Sequence, residues 1–552
     1  MKFEYKIFSV ILGMILIFVL GAKLLPTTRT MFEFHDQTQA ARIAQFTVNL
    51  ENLNIPPRMA PDFSYGMGYP VFNFYAPFAY WVSSLLSLLG LTTIAALKAS
   101  FLLALIVAAG GMYLFLREQF DEAASLLGLT LYVTSSIIPL EIFVRGNLAE
   151  MWFLALFPTA LYLLIRNARE SSKRVFVMTA LTLSFLLTVH NIMSLLAGVL
   201  IVVFIGLLKH RKRNILALLL GALAGSYFLI PALLESRLTY ATTVAATTNY
   251  ADHFLCARQL WKGTWGFGGS VPGCVSDGMS FALGKMQWVL GLVGGGALMF
   301  TLYKKRNSLR TYIEHNVHSR ISLYVALLTG VSLFLTLYQS AFIWKILYPI
   351  LSLFQFPWRF LVFGVFGLAY FGAYGAYVLR ERLPVISHKA WAFILFAVSI
   401  GLMVNVFTLF KGQSVNNTLY ESMYISDNYI RNSVAYKIPE YLPKTADYAF
   451  WRSFEDKNTV PYSEGQFEKQ TLNIHYFPYW KIRVNDEEVV PDKFDSFGRP
   501  IMVIPSGSEL LVTYEQTAIE KFGNGLTLAA IILLLGIGIN NTLWTRIRNI
   551  EN

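Results

Sequence analysis

Cysteine is nearly absent from this chain. Its 552 residues include only Cys256 and Cys274, both in the polar stretch 235–283. No arrangement of cysteine and histidine has the spacing of a zinc site, so the sequence does not indicate one. Two cysteines confined to one loop suggest a disulfide that closes a segment rich in tryptophan and glycine, if that loop faces an oxidising compartment. Two unpaired buried thiols are the alternative.

Charged residues are also scarce. They make up 14% of the chain, whereas 55% of its residues are hydrophobic, and the mean hydropathy is +0.50. This balance excludes an ordinary soluble protein and indicates an integral membrane protein. The net charge of +12 does not indicate nucleic-acid binding, because much of it lies in short loops between apolar runs, where basic residues set membrane topology.

Apolar runs long enough to cross a bilayer recur along the chain. A spanning helix needs about 20 mostly apolar residues, and about twelve segments satisfy that criterion. They lie near residues 7–25, 94–116, 123–142, 147–165, 175–189, 192–208, 214–234, 284–303, 320–337, 359–379, 389–410 and 525–543. The predicted fold class is therefore a polytopic α-helical membrane protein.

The short apolar stretch 76–91 decides the predicted topology. It begins with aromatic residues and Pro77, and we expect an interfacial or re-entrant helix rather than a span. With that assignment the basic clusters, such as 209–213 and 304–306, all fall on the cytoplasmic side, as the positive-inside rule requires. We therefore predict a multi-pass protein of the plasma (inner) membrane with both termini cytoplasmic, and a first run retained as a span.

Three regions follow from this topology. Residues 1–410 are predicted to form the transmembrane domain, with a first exoplasmic loop at 26–93. Residues 411–520 are predicted to form an exoplasmic, mostly β domain, and 521–552 the last span and a cytoplasmic tail. Four stretches in the second region alternate in the manner of strands, and they predict a small sandwich of one sheet or two: 471–476, 480–484, 500–504 and 510–514.

Asp36 is the candidate for chemistry in the first exoplasmic loop. An amphipathic helix is predicted at 37–50, and Asp36 stands at the N-cap position, with Gln39 three residues on completing a capping box. A carboxylate near the bilayer surface is equally suited to act as a general base or to bind a cation. Both roles stay open, because a carboxylate has two oxygens.

Three more polar clusters lie at the outer ends of predicted spans. Arg145 and Glu150 either pair with each other or bind a phosphate and a sugar hydroxyl, since ionisable residues at membrane depth face a partner or a cavity. His190 and Asn191 interrupt an apolar stretch. They are either structural residues or a pair that forms hydrogen bonds with a phosphate or sugar. Arg359 is either an interfacial anchor or a second cation for an anionic head group.

Several strings together resemble one family. They are His35-Asp36, Pro56-Pro57-Arg58, Gly68-Tyr69-Pro70-Val71-Phe72, Phe74-Tyr75-Ala76-Pro77, Arg145-Gly146-Asn147-Leu148-Ala149-Glu150, His190-Asn191, Phe354-Gln355-Phe356-Pro357-Trp358-Arg359, Glu440-Tyr441-Leu442-Pro443 and Tyr476-Phe477-Pro478-Tyr479-Trp480. The chain resembles bacterial membrane proteins described as 6-pyruvoyl-tetrahydropterin synthase-related, with their YfhO-like relatives, and more broadly the GT-C glycosyltransferase superfamily. Met59 and Tyr479 depart from the usual strings. The pterin wording implies a soluble zinc enzyme, whose histidine ligands are not found here.

The resemblance implies a glycosyltransferase. It would move a sugar from a polyprenyl-phosphate-linked donor to an envelope glycan, lipid or protein acceptor at the exoplasmic membrane face, with inversion and with Asp36 as general base. The residues expected to hold the donor phosphate are Arg58, Arg145, His190 and Arg359. Those expected to contact the sugar or acceptor are Tyr69, Glu150, Asn191 and Trp358. The sequence requires no cofactor; a divalent cation, if one takes part, is expected at Asp36.

Two other functions compete with transfer. A lipid-linked saccharide transporter or flippase would need ionisable residues along a path through the bilayer midplane, whereas the charges here gather at one face. A non-catalytic partner in envelope assembly would use the β domain to recruit other proteins. The presence of Asp36 among several cations weighs against that last alternative.

Overall fold

The computed structural model describes residues 13, 20–21, 24, 31–274, 277–383, 385–413, 415–416, 424–434, 439–453 and 469–549. Within that part of the chain, the helices of ten or more residues are α1 (Gln39–Glu51), α2 (Phe78–Leu88), α3 (Thr93–Arg117), α4 (Glu122–Val133), α5 (Leu148–Arg169), α6 (Lys173–Leu187), α7 (Asn191–Leu207), α8 (Arg211–Ala224), α9 (Ser226–Glu235), α10 (Lys285–Lys304), α11 (Val317–Leu335), α12 (Leu361–Arg382), α13 (His388–Phe407) and α14 (Ala518–Ile539).

Shorter helical segments connect these helices. They lie at Phe63–Gly66, Val71–Phe74, Ile137–Pro139, Leu140–Arg145, Ser236–Leu238, Ala241–Thr247, Tyr250–His253, Ala257–Trp261, Arg306–Ser308, Leu309–His315, Tyr338–Ser340, Ala341–Ile346, Tyr348–Leu351, Ser352–Phe354, Pro357–Phe360, Tyr429–Ser433, Pro439–Tyr441, Tyr448–Ser453 and Asn541–Arg548. The segment Leu140–Arg145 is a π-helix, a form that is rare and is found mostly at functional sites.

The membrane helices agree with the apolar runs in type and place. Seven helices of the described chain are long and apolar enough to cross a membrane, or up to nine if each of two bent pairs is one span. The first predicted span, 7–25, falls almost wholly outside the described residues. The predicted pair 175–189 and 192–208 forms α6 and α7, which are shorter than a full span. The count of about twelve therefore stays a prediction.

The predicted interfacial segment is a helix of its own. The helix α2 has 11 residues, which at about 1.5 Å per residue is too short to cross the hydrocarbon core. It packs against α1 and α3. The first loop therefore forms one packed layer with the start of the helical bundle rather than an extended linker.

The interior of the bundle is built around α3, α5 and α12. Nearly all side chains of α5 are buried; α5 packs along α3, while α12 packs along α10 and α4. Phenylalanine rings fill the contact between α5 and α12, where Phe157 lies 5.3 Å from Phe363 and 5.4 Å from Phe366 between ring centroids. In water, burying such a ring stabilises the folded state by about 1.5–3 kcal/mol. Inside a bilayer, where the surroundings are already apolar, van der Waals packing stabilises the contact instead.

The strands form three small antiparallel sheets. Strands β1 (Met31–Phe32) and β2 (Val415–Asn416) pair with each other, as do β3 (Lys469–Thr471) and β6 (Ile501–Val503), while β5 (Glu487–Glu488), β4 (Trp480–Val484) and β7 (Leu510–Tyr514) form a sheet in that order. Ile482 of β4 and Met502 of β6 share one apolar cluster. The sequence predicted one sheet or two here, and the described residues 469–514 form two small sheets. The strand predicted at 471–476, however, ends at Thr471, and the last long helix begins at Ala518.

Backbone hydrogen bonds fix the segment that carries Asp36. The backbone amide of His35 donates a hydrogen bond to the carbonyl of Val144 at 2.9 Å, and the backbone amide of Asp36 donates one to the carbonyl of Arg145 at 3.0 Å. Gly146 follows at a φ of +63°, and a Cβ atom there would lie 2.0 Å from the ring of Phe34. Only glycine fits this crossing, which holds the first loop against the π-helix.

Candidate functional site

One large cavity joins the first loop to the ends of several membrane helices. Its volume is about 1100 Å³, slightly above the range of about 300–1,000 Å³ that is typical of small-molecule and cofactor sites. Its polar wall includes Glu33, His35, Asp36, Gln37, Thr38, Arg42, Tyr75, Asn147, His190, Asn191, Gln355, Arg359, Gln413 and Glu440. Its apolar wall includes Leu187 of α6, Ile192 and Leu195 of α7, and Phe228, Leu229 and Leu233 of α9.

Asp36 lies in this cavity and does not cap the helix that follows it. The helix α1 begins at Gln39, its N-cap is Thr38, and no side chain caps it. The carboxylate of Asp36 instead accepts a hydrogen bond from the Thr38 hydroxyl at 2.7 Å and one from the Gln39 amide at 2.6 Å. The predicted capping box is therefore wrong, because the side chains of Thr38 and Gln39 both donate to the Asp36 carboxylate instead. Each carboxylate oxygen retains a lone pair for a substrate.

Arg42 is the cation next to Asp36, and it was not among the predicted site residues. Its Nη1 lies 3.8 Å from the Asp36 carboxylate, and its guanidinium carbon lies 4.5 Å from the centre of the Tyr75 ring. Burial lowers the pKa of Arg42, but Tyr80, Asp36 and Tyr75 outweigh burial and raise that pKa well above its usual value. Burial also raises the pKa of Tyr75 to about 12. A charged guanidinium and a protonated phenol therefore flank the carboxylate.

A second charge network surrounds Glu150, which is only 1% exposed. Its carboxylate accepts hydrogen bonds from Arg145 at 2.7 and 2.9 Å, from Asn147 at 3.0 Å and from Arg359 at 3.2 Å. Arg145 also donates to Glu141, at 2.5 and 2.6 Å. A buried carboxylate needs this degree of pairing, because an unpaired one costs several kcal/mol, on the order of 3–5. The network holds α5, the π-helix and the start of α12 together.

His190 and Arg359 carry that network into the cavity. His190 Nδ1 accepts the Met193 amide at 3.4 Å, so the proton of a neutral ring is on Nε2, which faces Glu150 at 3.6 Å. Burial lowers the pKa of His190, although Glu150 opposes the shift, so the ring is neutral at pH 7 and acts as a donor. The Nη1 of Arg359 donates to the Phe354 carbonyl at 2.8 Å. Within the described chain its Nη2 has no hydrogen-bond partner.

Five of the predicted site residues do not line the cavity. The lining includes four predicted residues, Asp36, His190, Asn191 and Arg359. The other five are buried and do not line it: Arg58, Tyr69, Arg145, Glu150 and Trp358. Arg145 is not open to a phosphate because two carboxylates and the ring of Trp358, 4.4 Å from its guanidinium, enclose it. Glu150 is unsuited to a sugar hydroxyl for the same reason, since its oxygens are already paired.

Arg58 and Tyr69 serve the contact with the C-terminal part of the chain. Arg58 donates to Asn73 at 2.6 Å and to Asn524 of α14 at 2.9 Å, and its Nε lies 3.8 Å from Glu520. The Tyr69 hydroxyl accepts the Tyr441 amide at 2.7 Å. Both side chains are buried, so the predicted contacts with phosphate and sugar are replaced by contacts that fix the fold.

Two cavity residues had weak signals in the sequence. Arg42 stands on the polar side of the predicted helix at 37–50, which by itself indicates a solvated face. Glu440 lies in one of the strings that carry the family resemblance, far from the first loop in the chain. Burial raises the pKa of Glu440, and Arg42 opposes that shift. Only the fold brings these side chains beside Asp36.

The remaining expectations concern cysteines and metals. Cys256 and Cys274 are joined by a disulfide, with their Cα atoms 5.6 Å apart, and the loop that it closes brings Phe267 to the cavity. Among the described residues, no group of three His, Cys, Asp or Glu side chains is placed to hold a metal ion. A divalent cation at Asp36 would need ligands from the substrate or water, and its participation stays a prediction.

Comparisons with known proteins complete the description. The model of a family described as a 6-pyruvoyl-tetrahydropterin synthase related domain, a membrane protein, matches residues 72–411. No curated protein matches. The fold is similar to the oligosaccharyltransferase of Archaeoglobus fulgidus in its apo form, with 12% identity, a TM-score of 0.45, and coverage of 76% of this chain and 60% of that one.

A second structure of the oligosaccharyltransferase from that organism, in complex with an inhibitory peptide and a dolichol-phosphate, matches at 13% identity and a TM-score of 0.42. It covers the same fractions of the two chains, so this chain spans about 60% of the length of these enzymes. The family match is the firmer result, because it includes most of the membrane helices and more than half of the chain. This protein belongs to the 6-pyruvoyl-tetrahydropterin synthase related family of membrane proteins.

Proposed function

We propose that this protein is a membrane glycosyltransferase that transfers a sugar from a polyprenyl-phosphate-linked donor to an acceptor hydroxyl at the exoplasmic face. The observation that carries the proposal is the composition of the large cavity. Its lining combines a carboxylate, arginine and histidine side chains, and apolar side chains of the membrane helices. The GT-C resemblance of the sequence agrees with that composition.

The apolar wall suits the lipid chain of the donor. Leu195 of α7 and Leu233 of α9 line the cavity and are also 49% and 62% exposed. The wall is therefore continuous with apolar surface on the outside of the helices, where lipid chains lie. A polyprenyl chain can reach the cavity along this surface without entering water, and its burial is favourable by about 0.8 kcal/mol for each CH₂ group.

Arg359 and His190 are suited to the donor phosphate. Arg359, whose Nη2 has no hydrogen-bond partner within the described chain, and His190, whose Nε2 lies 3.6 Å from Glu150, both line the cavity. Hydrogen bonds to a charged phosphate are about twice as strong as those between neutral groups. Glu150 sets the direction of both donors. The side chain of Asn191 is fixed by hydrogen bonds to the backbone of Phe74 and Ala76, and it forms part of the cavity lining.

Asp36 acts as the general base. The acceptor oxygen attacks the anomeric carbon of the donor, a bond forms between these two atoms, and the bond from the anomeric carbon to the phosphate oxygen breaks. The acceptor proton passes to Asp36, and the bond electrons leave with the polyprenyl phosphate. Attack from the side opposite the leaving group inverts the anomeric configuration. The Nη1 of Arg42 lies 3.8 Å from the Asp36 carboxylate, so a cation stands beside the proposed base.

The proposal is tested on the full chain in liposomes with radiolabelled polyprenyl-phosphate hexoses and N-acetylhexosamines. The readout is release of polyprenyl phosphate together with transfer of label to an added mixture of saccharide, lipid and peptide acceptors. We expect release for the natural sequence and a loss of at least about 1000-fold for Asp36→Asn, with an unchanged melting temperature. Asp252→Asn is the matched control, because Asp252 does not line the cavity and bonds only to Asn249 among the described residues.

Three outcomes would overturn the proposal. Full release by Asp36→Asn would remove that carboxylate from the mechanism. Movement of the intact labelled donor between leaflets without bond cleavage, measured by enzymatic digestion of the outer leaflet, would instead identify a flippase. Neither cleavage nor movement with any donor would favour the non-catalytic role in envelope assembly.

A further inference from the structure

A disulfide-closed loop forms part of the cavity mouth. The loop between Cys256 and Cys274 brings Phe267 to the cavity lining. The backbone carbonyl of Phe267 accepts a hydrogen bond from Nε2 of His35 at 2.9 Å. His35 precedes Asp36 directly, so the loop is tied to the segment that carries the proposed base.

Backbone contacts hold this loop in one position. The Gly268 amide donates to the Gly278 carbonyl at 2.9 Å, and the Gly278 amide donates to the Gly269 carbonyl at 2.9 Å. A Cβ atom on Gly266 would lie 2.3 Å from the Gly278 carbonyl oxygen, so the approach requires glycine. The Gly273 amide also donates to the Tyr338 hydroxyl at 2.6 Å. The aromatic ring of Phe267 is therefore presented from a fixed support.

The mouth has an unusual charge composition for a site that handles phosphate. Glu33, His35 and Gln413 are exposed and line the same cavity as Phe267, which His35 contacts. Among the described lining residues the only lysines or arginines are Arg42 and Arg359. Arg42 is buried against Asp36 and Tyr80, and Arg359 is bonded to Glu150. No basic side chain in this described lining is left for a second anion.

We infer that the mouth formed by Glu33, His35, Phe267 and Gln413 is the acceptor subsite and that it takes an uncharged saccharide rather than a phosphate-bearing polymer. This inference rests on the proposed function of the same cavity. It narrows the acceptor class from glycans, lipids and proteins in general to neutral, hydroxyl-rich sugars.

The chemistry of the four side chains fits such a ligand. An aromatic face packs against the apolar face of a pyranose ring, and carboxylate, imidazole and amide groups exchange hydrogen bonds with sugar hydroxyls. A phosphate group in the same place would lie near the carboxylate of Glu33, with no lysine or arginine of the described lining left to pair with it. Leaving a charge unpaired in a partly desolvated site is unfavourable.

The experiment measures saccharide binding directly on the detergent-solubilised full chain. The probes are uncharged trisaccharides of glucose, galactose, mannose and N-acetylglucosamine, together with the same trisaccharides carrying one phosphate, followed by ligand-observed NMR. We expect saturable binding of at least one uncharged trisaccharide and affinity at least about tenfold lower for its phosphorylated form. Phe267→Ala should lower the affinity for the uncharged probe by about fivefold to tenfold.

Matched variants distinguish an effect of the Phe267 ring on binding from an effect of the loop that carries it. Phe267→Leu keeps the backbone carbonyl that His35 contacts and guards against unfolding of the alanine variant. Trp261→Ala changes an exposed aromatic residue of the same loop that does not line the cavity, and its affinity should stay within about twofold of the natural sequence. Glu33→Lys supplies the missing cation and should reduce the preference for the uncharged probe.

Each outcome decides the inference. Equal or tighter binding of the phosphorylated trisaccharides would overturn it, as would an unchanged affinity in both Phe267 variants or no binding of any uncharged probe. Selective binding without donor cleavage in liposomes would leave the subsite standing and overturn the proposed function. Donor cleavage without selective binding would overturn the subsite alone.

Discussion

The Nε of Arg359 lies 3.2 Å from Oε1 of Glu150, although the two residues are 209 positions apart in the chain. The contact joins the start of α12 to the first turn of α5. The same carboxylate accepts two hydrogen bonds from Arg145 and lies 3.6 Å from His190. One nearly inaccessible carboxylate thus positions both groups proposed to hold the donor phosphate.

Neutralising Glu150 should therefore weaken donor binding without touching the donor. In Glu150→Gln, Arg359 and His190 lose the charge that orients them, and we expect the donor KM to rise by about tenfold. The measurement is the initial rate of polyprenyl-phosphate release over a range of donor concentrations. An unchanged KM would show that Glu150 has only a structural role.

Glu141→Gln is the matched control for that variant. Glu141 also pairs with Arg145, at 2.5 Å, but among the described residues it makes no side-chain hydrogen bond to Arg359 or His190. Both variants remove one buried charge partner of Arg145, so both should lower the melting temperature. Only Glu150→Gln should change the donor KM by more than about twofold.

Arg359 should contribute most of the phosphate affinity. Arg359→Gln removes the cavity-facing cation, and hydrogen bonds to charged groups are worth about 1.5–3 kcal/mol, so the donor KM should rise by about 10-fold to 100-fold. Arg258→Gln, an exposed position on the short helix Ala257–Trp261, is the control. A donor KM that rises equally in both variants would mean that general charge, not the site, attracts the donor.

Stability should depend on pH through His475. This side chain is 0% exposed, and burial lowers its pKa to about 3, whereas in the unfolded chain the value is about 6.5. Between these values the unfolded state binds more protons, so stability falls as pH falls. The change from pH 7 to pH 5 should cost about 2 kcal/mol, measured by thermal unfolding in detergent.

The variant His475→Leu should remove most of that slope. It leaves the backbone bond from residue 475 to the Met67 carbonyl, 3.0 Å long, in place. His315→Leu is the comparison, because His315 is exposed and its replacement should keep the slope. A slope that persists in His475→Leu would assign the pH dependence to other buried groups whose pKa is lowered on folding, such as His190.

Membrane sidedness can be tested with engineered cysteines in a variant lacking Cys256 and Cys274. The charge bias of the sequence predicts that Asp252→Cys lies outside and His210→Cys inside. A membrane-impermeant thiol reagent applied to intact cells should label the first and spare the second, and broken membranes should expose both. The opposite pattern would place the cavity on the cytoplasmic side and remove the proposed donor orientation.

The sequence predicted the parts of the fold that depend on local composition. Apolar runs located α3, α5 and α10 to α13 within a few residues, because a spanning helix needs a continuous apolar surface. The short run 76–91 forms α2, whose 11 residues are fewer than a spanning helix needs. The pattern at 37–50 located α1, but the placement of Asp36 as its cap was wrong, since the choice between Thr38 and Asp36 depends on a few hydrogen bonds that distant groups influence.

The positions of the polar residues in the sequence did not reveal which of them line the same cavity. Asp36, His190, Asn191 and Arg359 stand at helix ends, and all of them line the cavity. Arg58 and Arg145 have similar surroundings in the sequence, yet one binds Asn524 of α14 and the other two glutamates. An arginine beside a predicted span looks the same whether its partner is a ligand or a carboxylate brought from elsewhere in the fold.

The sequence by itself determined that this chain is a polytopic membrane protein with polar motifs at helix ends, because composition and the length of apolar runs are properties of the chain alone. The tertiary structure decided which of those motifs meet. It placed Arg42 and Glu440 beside Asp36, buried Arg58 and Tyr69 against the C-terminal part, and brought Phe267 to the cavity mouth. Such contacts join residues hundreds of positions apart, and only packing of the helices against one another fixes them.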